Sequence, residues 1–585
     1  MSKRWFHFLL LLVWVLLGAW LRFLLLDSKP PWTDEFSTMV FSLGNSFRTV
    51  PLDQVISLET LLQPMVPRPD ATAADVIRHL MNESTHPPMY FVLAHWWMQL
   101  FPPDREGFLS LWVARSLPAV FGVLAIPATF GLAWLVFGSC LVAHCAAAMM
   151  ALSPYGVYLS QEARHYTLAA LVVIASLACL VLALRHLQRR SPIPLWLCLG
   201  WVGINTLGVA VHYLFSLTLL AETLALLGLW LLPWKTVRAK LTHLPQAAQQ
   251  LGSNVWRLGV IALGTFLGGL VWLPEVTRSH GSDLTEWIRF DWDYPLSFIN
   301  PFFQLLASWV TMVVLLPIEG SNWLRIVPFL LVMLAYIFWA TPRLVRLFRI
   351  NWQWSSPPSA QSSRLLAGFV LATILLLLAG SYLLGKDLTR GARYNFVYFP
   401  AVMVLLGACL AIAWQFPLQR APDPFRSPPP ATSGQRFVVI VLTVALLSGL
   451  SVVANFGYQK YYRPELLAPV IQQQSQAPVL IATSHETHVQ TGELMGLARE
   501  FLRLETTPKQ RPHFLLAHFD RDRRLAQTTL TQVLAQTPRP LDLWTVNFKT
   551  VGESLVVPAD CAAQMTPPRW VNGYSYQLYR CRDGS

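Results

Sequence analysis

The sequence predicts a polytopic α-helical membrane protein of about eleven to thirteen transmembrane helices, followed by a small C-terminal α/β domain outside the membrane. Three observations predict it. Long apolar runs recur through residues 1–455 of a chain that is 54% hydrophobic and 13% charged, with a mean hydropathy of +0.44, a balance outside that of soluble domains. Basic residues fall mostly in short loops between those runs, as cytoplasmic loops require, so the net charge of +13 is not by default a nucleic-acid footprint. Beyond residue 455 the long runs give way to short apolar segments separated by helix-like stretches.

The first run, Phe6 to Leu26, follows Lys3 and Arg4 and offers no small-residue cleavage site before Arg22. It reads as a retained signal-anchor with a cytoplasmic N-terminus. Residues 27–113 then form a first outer loop. Within it Met89 to Phe101 is apolar, but about thirteen residues rise only about 20 Å as a helix, against a hydrocarbon core of about 30 Å. This segment is expected to lie on the outer interface, with Trp96 and Trp97 at headgroup depth.

Spans are expected at 114–137 and 139–157, parted by Phe137-Gly138-Ser139. The chain turns outside through Ser153-Pro154-Tyr155 and the polar stretch Ser160 to Tyr166, then re-enters as far as Leu184. Arg185, His186, Arg189 and Arg190 mark the cytoplasmic side, which agrees with the count from the N-terminus only if 89–101 does not cross. Spans at 193–212 and 214–232 precede Lys235, Arg238 and Lys240. A span at 256–274 leads out to a loop with Glu275, Asp283, Glu286, Asp291 and Asp293. Phe302 to Pro317 is again short, and an interfacial placement keeps Arg343, Arg346 and Arg349, after 324–341, inside. The span at 364–384 exits at Lys386. Residues 396–414 return to a proline-rich linker, 417–434, with Arg420 and Arg426, and 437–455 puts the C-terminus outside. Eleven spans result, or thirteen if both short segments cross.

In residues 456–585, Pro478 to Thr483 and His513 to Ala517 suit buried strands, with helix-like stretches near 490–503 and 521–536. No glycine-rich phosphate loop accompanies them, which argues against a nucleotide-binding domain. Cys561 and Cys581 stand outside the apolar segments that hold the other five cysteines, and a disulfide is open to them if this region is exported.

Trp32-Thr33-Asp34-Glu35 places a carboxylate pair where the first span meets water. Each such charge costs roughly 2.5–3.5 kcal/mol in hydrocarbon on insertion scales, so the pair needs an explanation. The plainest is that the acids mark a helix end. The same topology, however, collects His86, Arg115, Gln161, Glu162, Arg164, His165, Tyr166, His212, Tyr213, Lys386, Asp387, Arg390, Arg393 and Tyr394 at the outer boundary. A base and fixed cations beside lipid suit attack by a hydroxyl or amine on a sugar carried by a lipid phosphate. The carboxylate takes the acceptor's proton, typically worth 10²- to 10⁴-fold, and the cations stabilise the leaving phosphate.

Each residue also has a structural explanation. Arg115, Lys386 and Arg390 suit snorkelling to headgroups. His86, before Pro87-Pro88, suits a helix cap; His212 suits a satisfied buried histidine, and Tyr394 an aromatic belt. His485 and His488 have metal-compatible spacing only if both are helical, and a third ligand is missing. The rival functional class is a transporter or flippase of a lipid-linked sugar without bond chemistry, and a catalytically silent scaffold is a third. Transport predicts repeated groups of spans or ionisable residues at mid-membrane, whereas no clear repeat is evident and most charges sit at span ends.

At these residues the sequence resembles the GT-C glycosyltransferases that use polyprenyl-phosphate sugars: the protein mannosyltransferases, the aminoarabinose lipid A transferases and the RgtA/B/C/D-like group. The likeness covers residues 1–455. It is carried by Asp34-Glu35, His86-Pro87-Pro88-Met89-Tyr90, Ala114 to Gly122, Ser153-Pro154-Tyr155, Ser160 to Tyr166, and Arg393-Tyr394. It implies a GT-C-like membrane domain over 1–455 and an extracytoplasmic α/β domain over 456–585. It also implies an inverting hexosyl- or pentosyltransferase in a bacterial inner membrane, with active site and C-terminal domain in the periplasm. Asp34 matches the catalytic acid, Glu35 completes the pair, and Arg393 is expected at the donor phosphate. Other expected substrate contacts are His86, Arg115, Gln161, Glu162, Arg164, Tyr166, Lys386, Arg390 and Tyr394. The implied partners are a polyprenyl-phosphate-linked sugar, a lipid, glycan or protein acceptor and membrane lipids, with no nucleic acid. The lipid A enzymes have Glu-Lys-Pro-Pro where this chain has Thr85-His86-Pro87-Pro88, so a metal-binding Glu is missing. No metal ligand is assigned, and use of a divalent ion is left open.

Overall fold

The computed structural model describes residues 3–231, 245–279, 282–354, 357–415, 433–504, 511–519, 524–549, 555–565 and 567–582. The basic stretch with Lys235, Arg238 and Lys240, and the proline-rich linker with Arg420 and Arg426, lie outside the described residues.

The apolar runs form helices, the local structure that satisfies every backbone polar group without water. Six are long and apolar enough to cross a membrane: Arg4–Phe23, Leu111–Phe137, Tyr166–Gln188, Trp323–Gln353, Ser359–Leu384 and Ser433–Val453. A seventh, Cys140–Leu152 with Pro154–Ser160, is bent by 56°. Pro154 causes the bend, because it lacks an N–H and drives the preceding residue out of the helical region. Ser153 accordingly has φ −53° and ψ 123°, and its hydroxyl donates to the Met312 carbonyl at 2.7 Å. Four shorter apolar helices, Leu195–Val211, Phe215–Leu229, Asn254–Leu270 and Phe399–Gln415, complete eleven segments among the described residues. The chain is a multi-pass membrane protein. Met89–Met98 and Asn300–Val313 are helices of 10 and 14 residues, too short to span.

By contacts the chain divides into two units. The first comprises Met1–Leu26, Thr85–Tyr90 and Arg115–Gln459, and the second Asp27–Ser84, Phe91–Ala114 and Lys460–Ser585. In the first unit small residues set the helix packing. Gly407 lies so close to the Cys140–Leu152 helix that a Cβ there would stand 2.6 Å from the Ala146 nitrogen.

The second unit is built on one sheet: β1 (Val55–Ile56), β2 (Val479–His485), β3 (His513–His518), β4 (Leu541–Val546), β5 (Cys561–Ala563), β6 (Arg569–Val571) and β7 (Tyr574–Cys581). The order is β1-β3-β2-β4-β7-β5, with β6 also on β7. Strands β2, β3 and β4 are parallel, joined by crossovers that contain the His488–Arg503 and Arg524–Gln536 helices; the other pairings are antiparallel. All of β4 is buried, as expected for a central parallel strand. The first outer loop supplies β1. Asp53 pins it: its N–H donates to the Leu516 carbonyl at 3.0 Å and its Oδ1 accepts the His518 N–H at 2.7 Å. Cys561 and Cys581 face each other across β5 and β7 and are disulfide-bonded.

Candidate functional site

In the second unit, Pro30 and Pro31 favour extended backbone, and Trp32 (φ −105°, ψ 172°) precedes the Thr33–Ser42 helix. Asp34 and Glu35 occupy its first turn, where the helix dipole favours negative charge. The two acids differ in exposure: Glu35 is fully buried, whereas Asp34 is partly exposed. Of the two, only Asp34 has open surface. Lys460 lies 5.0 Å from the centre of the Trp32 ring.

In the first unit, the turn Gln161 to His165 connects the Pro154–Ser160 and Tyr166–Gln188 helices and is buried throughout. Arg164 Nη2 stands 2.8 Å from His86 Nε2. The rings form a chain: His86 to His165 at 5.3 Å, His165 to His212 at 4.5 Å, and His212 to Tyr394 at 6.2 Å between centroids. Arg393 lies over Trp287 at 5.0 Å and over Tyr394 at 5.4 Å. Its backbone is held by the Tyr155 hydroxyl, placed to donate to the Ala392 and Arg393 carbonyls at 3.1 and 3.0 Å. Burial pushes His165 and His212 well below the usual histidine range, and the positive field of Arg164 and Arg393 pushes the same way. Both rings are therefore neutral near pH 7, beside two guanidinium groups whose field opposes their protonation. His212 Nε2 and the Tyr166 hydroxyl are buried with no partner among the described residues, so polar capacity remains in the cluster.

Of the residues singled out from the sequence, His86, Arg164, His165, Tyr166, His212, Arg393 and Tyr394 come together here, with Glu162 buried in the same turn. Arg115 and Gln161 support the end of the first helix. Gln161 Nε2 donates to the Leu21 and Leu24 carbonyls at 3.2 and 2.9 Å, and Arg115 Nη1 to the Leu26 carbonyl at 2.9 Å. Carbonyls at and just beyond a helix C-terminus lack intrahelical donors, which explains the burial of both polar groups. Lys386 makes a backbone bridge with Arg289, and Arg390 donates to the Trp287 carbonyl at 3.0 Å and pairs with Asp387 at 3.5 Å. Asp34 and Glu35 belong to the second unit. Trp287 is a member that sequence does not distinguish from the other loop tryptophans, and His212, collected at the outer boundary by sequence, is placed in the cluster where its plainer reading was an ordinary buried histidine.

These residues do not suit a divalent ion. Among the described residues no group of three or more His, Cys, Asp or Glu is placed to hold one, and the guanidinium groups beside the histidine rings oppose a cation. His485 lies on β2 and His488 on the following helix, so the pair does not share one helical face.

The fold and these side chains define a multi-pass membrane protein with a buried cationic cluster at helix ends and an extramembrane sheet. No protein-family model and no curated protein matches the chain. Among solved structures it is similar to ArnT from Cupriavidus metallidurans bound to undecaprenyl phosphate, with 13% identity, 99% of this chain and 98% of that chain covered and a TM-score of 0.46. It is similar to the same protein in the apo state (14% identity, 93% of each chain, TM-score 0.44). A third likeness is to the Archaeoglobus fulgidus oligosaccharyltransferase in the apo form (12% identity, 85% of this chain and 64% of that one, TM-score 0.41). A functional assignment therefore has to be carried by the chain's own residues.

Proposed function

We propose that this protein is a membrane glycosyltransferase. It moves a monosaccharide from a polyprenyl-phosphate donor to a lipid, glycan or protein acceptor on the periplasmic face of a bacterial inner membrane. The observation that supports this most is the cluster of Arg164 and Arg393 with His86, His165 and His212 among aromatic rings. The buried Arg164 and the half-buried Arg393 favour a phosphate anion, and Arg binds one through two parallel N–H donors. Trp287 and Tyr394 offer apolar faces beside that charge.

In the proposed step the acceptor hydroxyl or amine attacks C1 of the sugar on the face opposite the phosphate, and its proton passes to Asp34. The bond from C1 to the phosphate oxygen breaks, its electron pair stays on that oxygen, and Arg393 and Arg164 stabilise the charge that develops. The configuration at C1 inverts. Glu35, fully buried in the same turn, completes the acid pair beside Asp34.

The test is transfer in proteoliposomes supplied with a panel of polyprenyl-phosphate monosaccharides and membrane-derived acceptors. Asp34→Asn is expected to lower kcat by about 10²- to 10⁴-fold. Full transfer by that variant would remove Asp34 from the mechanism. Mass spectrometry of glycoconjugates from cells with and without the gene would identify the sugar and acceptor.

One observation favours a second function, a carrier that moves a lipid-linked sugar without bond chemistry. Glu222 sits in the middle of the Phe215–Leu231 helix, 3% exposed; the Ser176 hydroxyl lies 3.0 Å from its Oε2, and its Oε1 has no partner among the described residues. An ionisable group at that depth is a functional candidate by default. Movement of donor lipid between leaflets without release of polyprenyl phosphate would favour the carrier.

A further inference from the structure

We propose that His488, carried by the C-terminal part of the chain, is a positioning residue for Asp34, so that this part of the chain belongs to the catalytic apparatus and is more than an acceptor-side appendage. The proposal rests on the assignment of Asp34 as the base.

The Thr33–Ser42 helix has ten residues, too few to be stable alone, so its placement is set by what it packs on. Within the second unit it packs on the His488–Arg503 helix. The approach is close at Gly492, where a Cβ would lie 3.3 Å from Thr33 Cα and 3.4 Å from Thr33 Cβ. His488 precedes Gly492 by four residues and so shares its helix face. Asp34 and Phe41, seven residues apart, likewise share one face of the partner helix, and the His488 ring meets that face at Phe41. Its ring meets Phe41 edge-on at 6.0 Å, stacks on Phe47 at 5.0 Å and lies within the field of the Asp34 carboxylate.

The imidazole is held firmly. Thr487 and Gln490 form a capping box that fixes the start of its helix, with the Thr487 N–H donating to Gln490 Oε1 at 2.8 Å. The charged or titratable groups that act on His488 are Asp34 from the packed helix and His485 from β2; His518 and Asp53 act in turn on His485. Burial outweighs the pull of Asp34 and holds His488 at about 4, so the ring is neutral near pH 7. Packed against Phe41 and Phe47, the neutral imidazole fixes the short helix that carries Asp34 without placing a charge beside the carboxylate. Misplacing a reacting group by about 1 Å can cost 10²-fold in rate.

The test uses the full chain in proteoliposomes, with Asp34→Asn, His488→Ala, His488→Gln and the pairwise combinations. Transfer from the polyprenyl-phosphate panel is measured alongside labelling of Asp34 by a water-soluble carbodiimide between pH 4 and 8, read by mass spectrometry. His488→Ala is expected to lower kcat about 10- to 100-fold with donor KM within twofold, and to change the extent of Asp34 labelling while exposed Glu486 labels unchanged. His488→Gln should recover part of the rate, and neither change should lower transfer further in an Asp34→Asn background. If Asp34→Asn is inactive but both His488 variants transfer and label as wild type, the positioning proposal fails and the base assignment stands. If Asp34→Asn transfers fully, both fall. A Thr33→Cys/Gly492→Cys pair should cross-link on oxidation, since the Cβ separation is close to disulfide reach, and absence of that cross-link would overturn the packing.

Discussion

Arg115 and Arg164 are both about 1% exposed, yet their surroundings give them different consequences. Arg115 donates to the carbonyl of Leu26, so Arg115→Ala strands a buried acceptor and is expected to cost about 1–3 kcal/mol of stability, with donor KM unchanged in whatever folds. Arg164 and Arg393 lie beside imidazole and aromatic rings, and their truncation should act on substrate. Arg393→Lys keeps the charge but loses the planar fork, and is expected to raise donor KM about tenfold; Arg393→Ala should raise it about 10²-fold, with the melting temperature little changed. Transfer kinetics set against thermal unfolding separate the two kinds of arginine. Sequence spacing placed both at the outer boundary, but only the neighbours each side chain meets distinguish support from chemistry.

At the scale of the element, the Leu111–Phe137 helix carries its own control experiment. A Cβ on Gly122 would stand 2.1 Å from Ser160 Oγ and 2.9 Å from Ser160 Cβ, whereas a Cβ on Gly131 meets nothing within 4 Å. Gly122→Ala should therefore cost about 1–3 kcal/mol through overpacking, while Gly131→Ala should be neutral or slightly stabilising because Ala is the better helix former. Thermal unfolding in nanodiscs checks the pair. The constriction at Gly122 also serves Arg22, which is fully buried near the end of the first helix and donates to the Gly18, Met150 and Ala151 carbonyls at 2.9 to 3.0 Å. The apolar runs were legible because they follow from local composition; at Pro154, where the sequence suggested an exit to the outside, the chain instead bends and continues as the buried Pro154–Ser160 helix. The glycine cradle around Arg22 was not legible, since Gly18, Gly122 and Gly156 are far apart in sequence and look like ordinary small residues of apolar helices.

At the scale of the whole molecule, the second unit carries a pH dependence. Burial holds both His485 and His488 at about 4, below the usual 6.5. The unfolded chain then binds more protons between those limits, so their contribution is fully present above about pH 6.5 and is lost as pH falls towards 4. The slope is at most about 1.4 kcal/mol per pH unit for each histidine. Burial pushes Glu493 and Glu500 upward, which works in the opposite sense, so the difference between wild type and His485→Gln/His488→Gln is the quantity to read. Calorimetry of the full chain at pH 7, 5.5 and 4.5 should show the double variant losing less stability in acid.

The sequence by itself determined that this chain crosses the membrane many times, roughly where its apolar helices lie, and that its last part contains strands. Those properties depend on hydrophobicity, length and backbone sterics, which act over a few turns of chain. Only the tertiary structure decided that β1, from the first outer loop, pairs with β3 near the C-terminus, and that His212 and Trp287 join Arg164 and Arg393. It also decided that the Asp34 helix packs on the helix beginning at His488. Those contacts join residues tens to hundreds of positions apart. They arise from side-chain fit between faces that each element could have offered to many partners, and nothing local to either sequence names the one it meets.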